Sequence, residues 1–405
     1  MRIIGIDTLS VREHANVLWV RLHTDAGLIG CGETYYTPRT TAAYIHEVAA
    51  PILLGQDPRD IERLWWRQYE ASHIYGNRGC EMRAISAIDI ALWDLLAQAA
   101  GMPLHRLLGG AVRQQVPLYN TCAGSRYARA TPGVAGFSHH QTATAPGPME
   151  DLWAAIHQPA QLARELLDEG IRAMKIWPFD PIAERTGGLM ISNAELEEGL
   201  RPVRAIREAV GDQIEILIEG HCLWALPAAV KIAEALQPYR IYWLEDMLRA
   251  ESPEALAMLR QATSIPIAGS ERKLTRWAFE QLLHSQAVSV VMVDPMWAGG
   301  ISEAVKVAHL ASAHELPVVY HDCAGPLSFW ADVHLSFATP HTPIQESVRA
   351  YYRGHYSELV TAVPDVRDGA VQLPTTPGLG ATLRPELLKR EDASREVSGR
   401  LVASP

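Results

Sequence analysis

The chain has few cysteines and no pattern among them. Cys31, Cys80, Cys122, Cys222 and Cys323 are scattered and odd in number, and no Cys-x-x-Cys occurs. That argues against a disulfide framework or a cysteine-based zinc site and points to free thiols in a reducing compartment. No run of 18 apolar residues is present, so no membrane-spanning helix is expected. No block of five or more lysines and arginines appears, and the formal net charge is −10. A nucleic-acid partner is therefore not expected. The opening Met-Arg-Ile-Ile-Gly-Ile-Asp reads as an immediate strand without a signal-peptide apolar stretch. The cytoplasm is the expected location.

What is present is an ordinary globular composition, 48% hydrophobic and 20% charged over 405 residues. Residues 1–115 read as an α+β unit. Strands fall at 2–11 and 16–24, a turn at Asp25-Ala-Gly27 leads into Ile29-Gly-Cys-Gly-Glu33, and helices span roughly 40–54 and 81–100. Gly101-Met-Pro103 stops the second helix. Over 116–365 the pattern changes to apolar strands alternating with amphipathic helices. The strands read as 116–122, 173–178, 214–219, 241–245, 265–268, 288–294, 317–321 and a short one near 344–346. Eight such strands fit a TIM-type α/β barrel, with a seven-strand closed variant equally open. Ser192-x-x-Glu195 is a capping-box signal for the helix ending at Gly211. Residues 124–150, rich in Gly, Pro, Ala, Thr and His, are too long for an ordinary βα loop. They read as a lid over the barrel mouth or as a surface insertion. The tail, 366–405, is expected to return to the first unit.

Three glutamates recur at an interval of 26 residues, Glu219, Glu245 and Glu271, each closing an apolar run. That interval is about one strand, one helix and two loops. Carboxylates at the same end of three successive parallel strands can converge, and three hard anionic oxygens suit Mg²⁺. Barrel enzymes carry their chemistry at the C-terminal strand ends. Those positions hold Lys175, then Glu219 and His221, then Glu245 and Asp246, then Glu271, Asp294, His321 with Asp322, and Glu346. A single strand-end carboxylate is more often a salt bridge or a helix cap, and a lone histidine more often structural. The density of the set argues for a site.

These pieces carry a resemblance. Met174-Lys175-Ile176, Ile218-Glu219-Gly-His221, Trp243-Leu-Glu245-Asp246, Ala268-Gly-Ser-Glu271, Val293-Asp294, Tyr320-His321-Asp322 and Pro343-Ile-Gln-Glu346 resemble the enolase superfamily in its mandelate racemase subgroup. Gly30-Cys-Gly-Glu33-Thr-Tyr also resembles that family's capping-domain loop. The resemblance implies a modified TIM barrel, (β/α)₇β, under an α+β capping domain built from both chain ends. It also implies abstraction of the proton beside a substrate carboxylate, a Lys or His base and Mg²⁺. On that footing Glu219, Glu245 and Glu271 hold Mg²⁺, and Lys175 adds positive charge beside the substrate carboxylate. Glu346, if protonated, donates to it. His321 is the base, oriented by Asp294. A homo-oligomer is also implied.

Two departures narrow the reading. The racemase pattern keeps a second base, a lysine, two positions after the first; here that position is Trp177, which cannot exchange a proton. The family also usually has Asp where this chain has Glu219. His221, two residues on, resembles the histidine that protonates the departing 3-hydroxyl in acid-sugar dehydratases of the galactonate dehydratase type. The expectation is therefore a carbon–oxygen lyase, a hydro-lyase of the mandelate racemase/muconate lactonizing enzyme type. It would convert an aldonate or aldarate to a 2-keto-3-deoxy acid. An epimerase or isomerase using the same enediolate and a non-catalytic sugar-acid-binding homologue are the alternatives. Tyr35, Tyr36 and Arg39 are candidates for contacts with sugar hydroxyls.

Overall fold

The computed structural model describes residues 1–128 and 145–402. The proposed lid lies mostly in 129–144, outside the described residues. At the start of the chain β1 (Ile3–Val11), β2 (Val17–Thr24) and β3 (Ile29–Tyr35) form an antiparallel meander. The helix Cys80–Ala99 lies directly on β3. Gly32 permits this, since a Cβ there would lie 1.9 Å from the Ala87 carbonyl oxygen. The same helix buries two acids that stitch it to its surroundings. Asp89 accepts from Ser302 N (2.9 Å) and Oγ (2.6 Å), and Asp94 accepts from Cys31 N (2.9 Å) and Leu379 N (2.8 Å). Three of these bonds satisfy backbone donors that burial would otherwise strand.

The second sheet is the barrel. Its strands are β4 (Gln115–Thr121), β5 (Ala173–Ile176), β6 (Glu215–Glu219), β7 (Trp243–Glu245), β8 (Ile267–Gly269), β9 (Val290–Val293), β10 (Val318–Tyr320) and β11 (Gln345–Ser347). They run parallel from β4 to β10 in chain order, and β11 pairs back onto β4. Between β10 and β11 no ladder forms; Gln345 Nε2 donates to the Tyr320 carbonyl (2.8 Å) and bridges the seam. Tyr119, Leu217, Trp243, Met292 and Val319, from alternate positions on five strands, fill the interior. Burial of each such side chain contributes roughly 1.5–3 kcal/mol.

The tail divides. A hairpin of β12 (Val366–Arg367) and β13 (Ala370–Gln372) adds antiparallel to β4, so this part stays with the barrel. Further on, β14 (Ala393–Gly399) pairs with β1 and completes the sheet order β14-β1-β2-β3. The family-like segment Gly30–Tyr35 is thus strand, not loop. The helix read at 40–54 is interrupted: Pro38–Tyr44 and Ala50–Leu53 flank a π turn at Ile45–Ala49. Pro51 has no N–H to continue the ladder there. A helix at Ile61–His73 was not anticipated. The capping box at Ser192 and Glu195 forms as read. Among the described residues, no helix is long and apolar enough to cross a membrane.

Candidate active site

Glu219 and Glu245 close β6 and β7 and stand directly beside each other in register. Glu271 does not close β8, which ends at Gly269; it lies two residues into the following turn. The equal sequence interval therefore hides unequal strands. All three side chains are buried, and one oxygen from each lies within 4.8 Å of the others. The turns after β6 and β7 enter the left-handed region at His221 (φ 44°), Cys222 (φ 60°) and Asp246 (φ 42°). Backbone strain of this kind collects at functional sites. At Gly220 a Cβ would sit 2.8 Å from Met247 Sδ and 2.9 Å from its Cα. The turn aims the Gly220 and His221 N–H groups at Glu219 Oε1 (3.0 and 2.7 Å).

Lys175, on β5, places Nζ 2.7 Å from Glu245 Oε1, 2.8 Å from Glu346 Oε1 and 3.5 Å from Glu219 Oε2. Burial opposes its charge, but Glu245 and Glu346 outweigh burial and hold its pKa well above the ordinary value. Glu346 also accepts from the Thr121 hydroxyl and from Asp322 N (3.0 Å). Burial raises its pKa, and the charges of Lys175 and His321 more than reverse that. These contacts favour the carboxylate form of Glu346, so the condition under which it would donate to a substrate, protonation, is opposed by its surroundings. Burial pushes Glu219 up to about 8 and Glu245 well above the usual range. Glu271 is subject to the same burial, yet the charges on His321 and Arg272 bring it down to about 2.

The buried carboxylates of Glu219, Glu245, Glu271, Glu346 and Asp294 share this barrel mouth with the cations Lys175 and Arg272 and the imidazole of His321. These five carboxyl groups outnumber the three basic groups, and three hard oxygens converge among them. That donor set fits a divalent cation with oxygen ligands.

Two imidazoles each rest on a buried carboxylate. His321 follows β10, with Nδ1 2.8 Å from Asp294 Oδ2 and Nε2 3.4 Å from Glu271 Oε2. Asp294 is fixed in turn by Met296 N, 2.7 Å from Oδ1. Burial lowers the His321 pKa, but Glu271, Glu346 and Asp294 outweigh it and hold the pKa well above the ordinary value. His221 Nδ1 lies 2.5 Å from Oδ2 of Asp180, the fully buried first residue of the helix Asp180–Thr186. Burial draws the His221 pKa down to about 3, while a carboxylate at contact distance favours the charged ring. Trp177 packs edge-on against His221 (5.4 Å between centroids), and Trp297 tilts against His321 (5.3 Å).

Most of these groups open onto one cavity of about 1180 Å³. Lys175, Glu219, His221, Glu271, His321 and Glu346 line it directly; Glu245 and Asp294 lie behind them. Tyr35 and Tyr36 line it as expected, whereas Arg39 is exposed on the helix Pro38–Tyr44 and takes no part. Sequence reasoning missed Asp180, Arg272 and Trp297, and also Arg78, Met82 and Arg83 from the start of the helix Cys80–Ala99. Arg272 and Trp297 lie within three residues of strand-end positions, so a wider window past each strand would have found them. The residues around 78–83 carry no such signal, because only docking of the two sheets brings them to the mouth.

Fold and site together define a barrel with a dense polar cluster at the C-terminal ends of its strands. Comparison with known proteins gives the family. Residues 6–109 match the mandelate racemase/muconate lactonizing enzyme N-terminal domain, and 158–387 match the enolase C-terminal domain-like family. The chain belongs to the mandelate racemase/muconate lactonizing enzyme family of the enolase superfamily, and it is an enzyme. It is 32% identical over 373 residues to a D-gluconate dehydratase of Thermoproteus tenax, covering 92% of this chain and 69% of that one. To an arabinonate dehydratase of Saccharolobus solfataricus it is 28% identical over 384 residues, covering 93% and 92%. Among solved structures, an enolase of the mandelate racemase subgroup from Agrobacterium tumefaciens superposes with a TM-score of 0.86 at 39% identity. That match covers 98% of this chain and 99% of the other.

Proposed function

We propose that this hydro-lyase dehydrates a sugar acid, an aldonate or aldarate, to a 2-keto-3-deoxy acid, with Mg²⁺ held by Glu219, Glu245 and Glu271. The observation that carries the reading is the pair of imidazoles in one cavity, each with Nδ1 on its own buried carboxylate, at 2.8 Å for His321 and 2.5 Å for His221. One base and one separate acid are what β-elimination next to a carboxylate requires.

His321, with Nδ1 held by Asp294, presents Nε2 to the α-proton of the substrate. The C–H electron pair moves into the enediolate. His221, with Nδ1 held by Asp180, gives a proton to the 3-hydroxyl, which leaves as water while the enediolate electrons form the C2–C3 double bond. The enol then ketonises. Lys175 sets positive charge beside the substrate carboxylate. Trp177 and Trp297 wall the two imidazoles with apolar surface and restrict water at the reacting carbons. A bound divalent cation supplies Lewis acidity against the developing carboxylate charge and offsets the anionic field that keeps His321 protonated. The single-lysine arrangement, with Trp177 in place of a second base, disfavours racemisation by proton return to the opposite face.

The test is a panel of sugar acids incubated with enzyme and Mg²⁺ in D₂O, read by NMR for α-deuterium and by a keto-acid assay for product. Product formation with at least one acid supports the reading. Exchange without product assigns an epimerase instead, and neither signal across mono- and diacids of five and six carbons refutes sugar-acid chemistry.

A further inference from the structure

The mouth has a second pole, far in character from the acidic one. Arg83 stands in the first turn of the helix Cys80–Ala99 and faces the cavity, and Arg78 precedes the same helix. The Arg83 guanidinium lies 4.8 Å from the Trp297 ring centroid and 5.5 Å from that of Tyr36. Among the described residues it makes one hydrogen bond, Nη1 to the Tyr35 carbonyl at 2.7 Å. A guanidinium has five donors, so most of this one's capacity is uncommitted. No carboxylate among the described residues forms an ion pair with Arg83 or Arg78. Asp294 acts on Arg83 only at a distance, and its oxygens are committed to His321 and to Met296 N. A half-buried cation clamped between aromatic faces and left without an anion is costly to retain unless a ligand supplies one.

Trp297 neighbours both ends of the cavity, its ring centroid 5.3 Å from that of His321 and 4.8 Å from the Arg83 guanidinium. All three residues line the same cavity, so a substrate whose α-carbon meets His321 has Arg83 within the same chamber, across the shared indole neighbour. We infer that Arg83, with Arg78 beside it, forms a distal anion subsite, and that the preferred substrate carries a second oxyanion at the end opposite the reacting carboxylate. This rests on the sugar-acid reading above and narrows it from aldonates and aldarates together to dianionic acids. The planar fork matches a terminal carboxylate bidentately, and a terminal phosphate presents the same oxygens.

The experiment uses gluconate, glucarate and 6-phosphogluconate, which share the configuration at C2–C5 and differ at C6. The galactonate and galactarate pair repeats it in a second configuration. Binding by calorimetry and turnover are measured for the wild type, Arg83→Gln, Arg83→Lys and the more exposed Arg78→Gln. The subsite predicts that a dianion is bound and turned over better than its monoanion. Arg83→Gln should remove about 10- to 100-fold of that preference, mainly through KM, with partial return in Arg83→Lys. Glucarate or galactarate preferred assigns a carboxylate; 6-phosphogluconate preferred assigns a phosphate. Monoanions and dianions weakened equally by Arg83→Gln, with Arg78→Gln silent, overturn the subsite. If aldonates are dehydrated best, the subsite is wrong and the sugar-acid reading survives. If no acid is turned over, calorimetry decides the subsite: a dianion preference lost in Arg83→Gln keeps it, and equal binding of both charge types removes it.

Discussion

Asp7 and Glu245 are both fully buried carboxylates on β-strands, yet their surroundings are opposite. Asp7, in the sheet formed by both chain ends, is surrounded by donors. Arg21 reaches it at 2.6 and 3.1 Å, His23 at 2.7 Å and Arg395 at 2.7 Å. Burial raises its pKa, and the bonds from His23 and Arg21 outweigh burial and bring it to about 2. Glu245, at the barrel mouth, shares Lys175 with two other acids and faces Glu219 in the next strand. Burial keeps it well above the usual carboxylate range. Asp7 has two guanidinium groups and an imidazole to itself. Glu245 has one donor on each oxygen, Lys175 Nζ at 2.7 Å and Trp243 Nε1 at 2.9 Å, and shares the lysine with two more acids. The two buried acids thus differ in how much positive charge each has to itself.

That contrast can be broken at several points. His321→Asn removes the base and should lower turnover by about 10²–10⁴-fold while leaving the fold intact; activity within a few-fold of wild type would remove the assignment. Asp7→Asn leaves three donors facing a neutral group, and should cost about 3–5 kcal/mol of unfolding free energy in urea. Glu245→Gln should do the reverse in metal-free enzyme. Lys175 retains Glu219 and Glu346, a neutral amide replaces a carboxyl whose charged form burial disfavours, and stability should hold or rise. The same variant should weaken Mg²⁺ binding by at least about 100-fold in calorimetry, more than loss of a group behind the ligands costs. A Glu245→Gln protein as destabilised as Asp7→Asn, or with unchanged Mg²⁺ affinity, would erase the distinction between the two regions.

The pH dependence is smaller and has a definite sign. Asp7 has a folded pKa of about 2 against an ordinary value of 3.8. Its stabilisation is therefore complete above about pH 4 and is lost as pH falls toward 2, a change of about 2 kcal/mol. Urea midpoints of wild type between pH 5 and 2.5 should include this loss, and those of Asp7→Asn should lack it. Parallel pH profiles would mean that the three donors do not hold Asp7 as their geometry indicates.

Much of the barrel was legible because its strands and helices alternate in a local pattern, and strand ends mark the mouth of any such barrel. Lys175, Glu219, Glu245, Asp294, His321 and Glu346 all followed from that rule. Glu271 followed for a partly mistaken reason: its spacing matched, but it sits in a turn past a shorter strand. Asp180 was invisible because it opens a helix one turn beyond β5 and meets His221 only in three dimensions. Arg83 was invisible for a longer-range cause, the docking of the helix Cys80–Ala99 between two sheets. The partners of Glu346 could not be read from sequence either, since they come from β4, β5 and the turn after β10.

The division of labour between the two imidazoles is the central claim, and His221→Asn tests it most directly. With a sugar acid that the wild type dehydrates, α-deuterium incorporation in D₂O and keto-acid release are followed together by NMR. The predicted result is exchange retained through His321 with dehydration lowered by about 10²-fold or more. Dehydration at the wild-type rate in His221→Asn would contradict the assignment of His221 as the acid and leave Asp180 and His221 a structural pair.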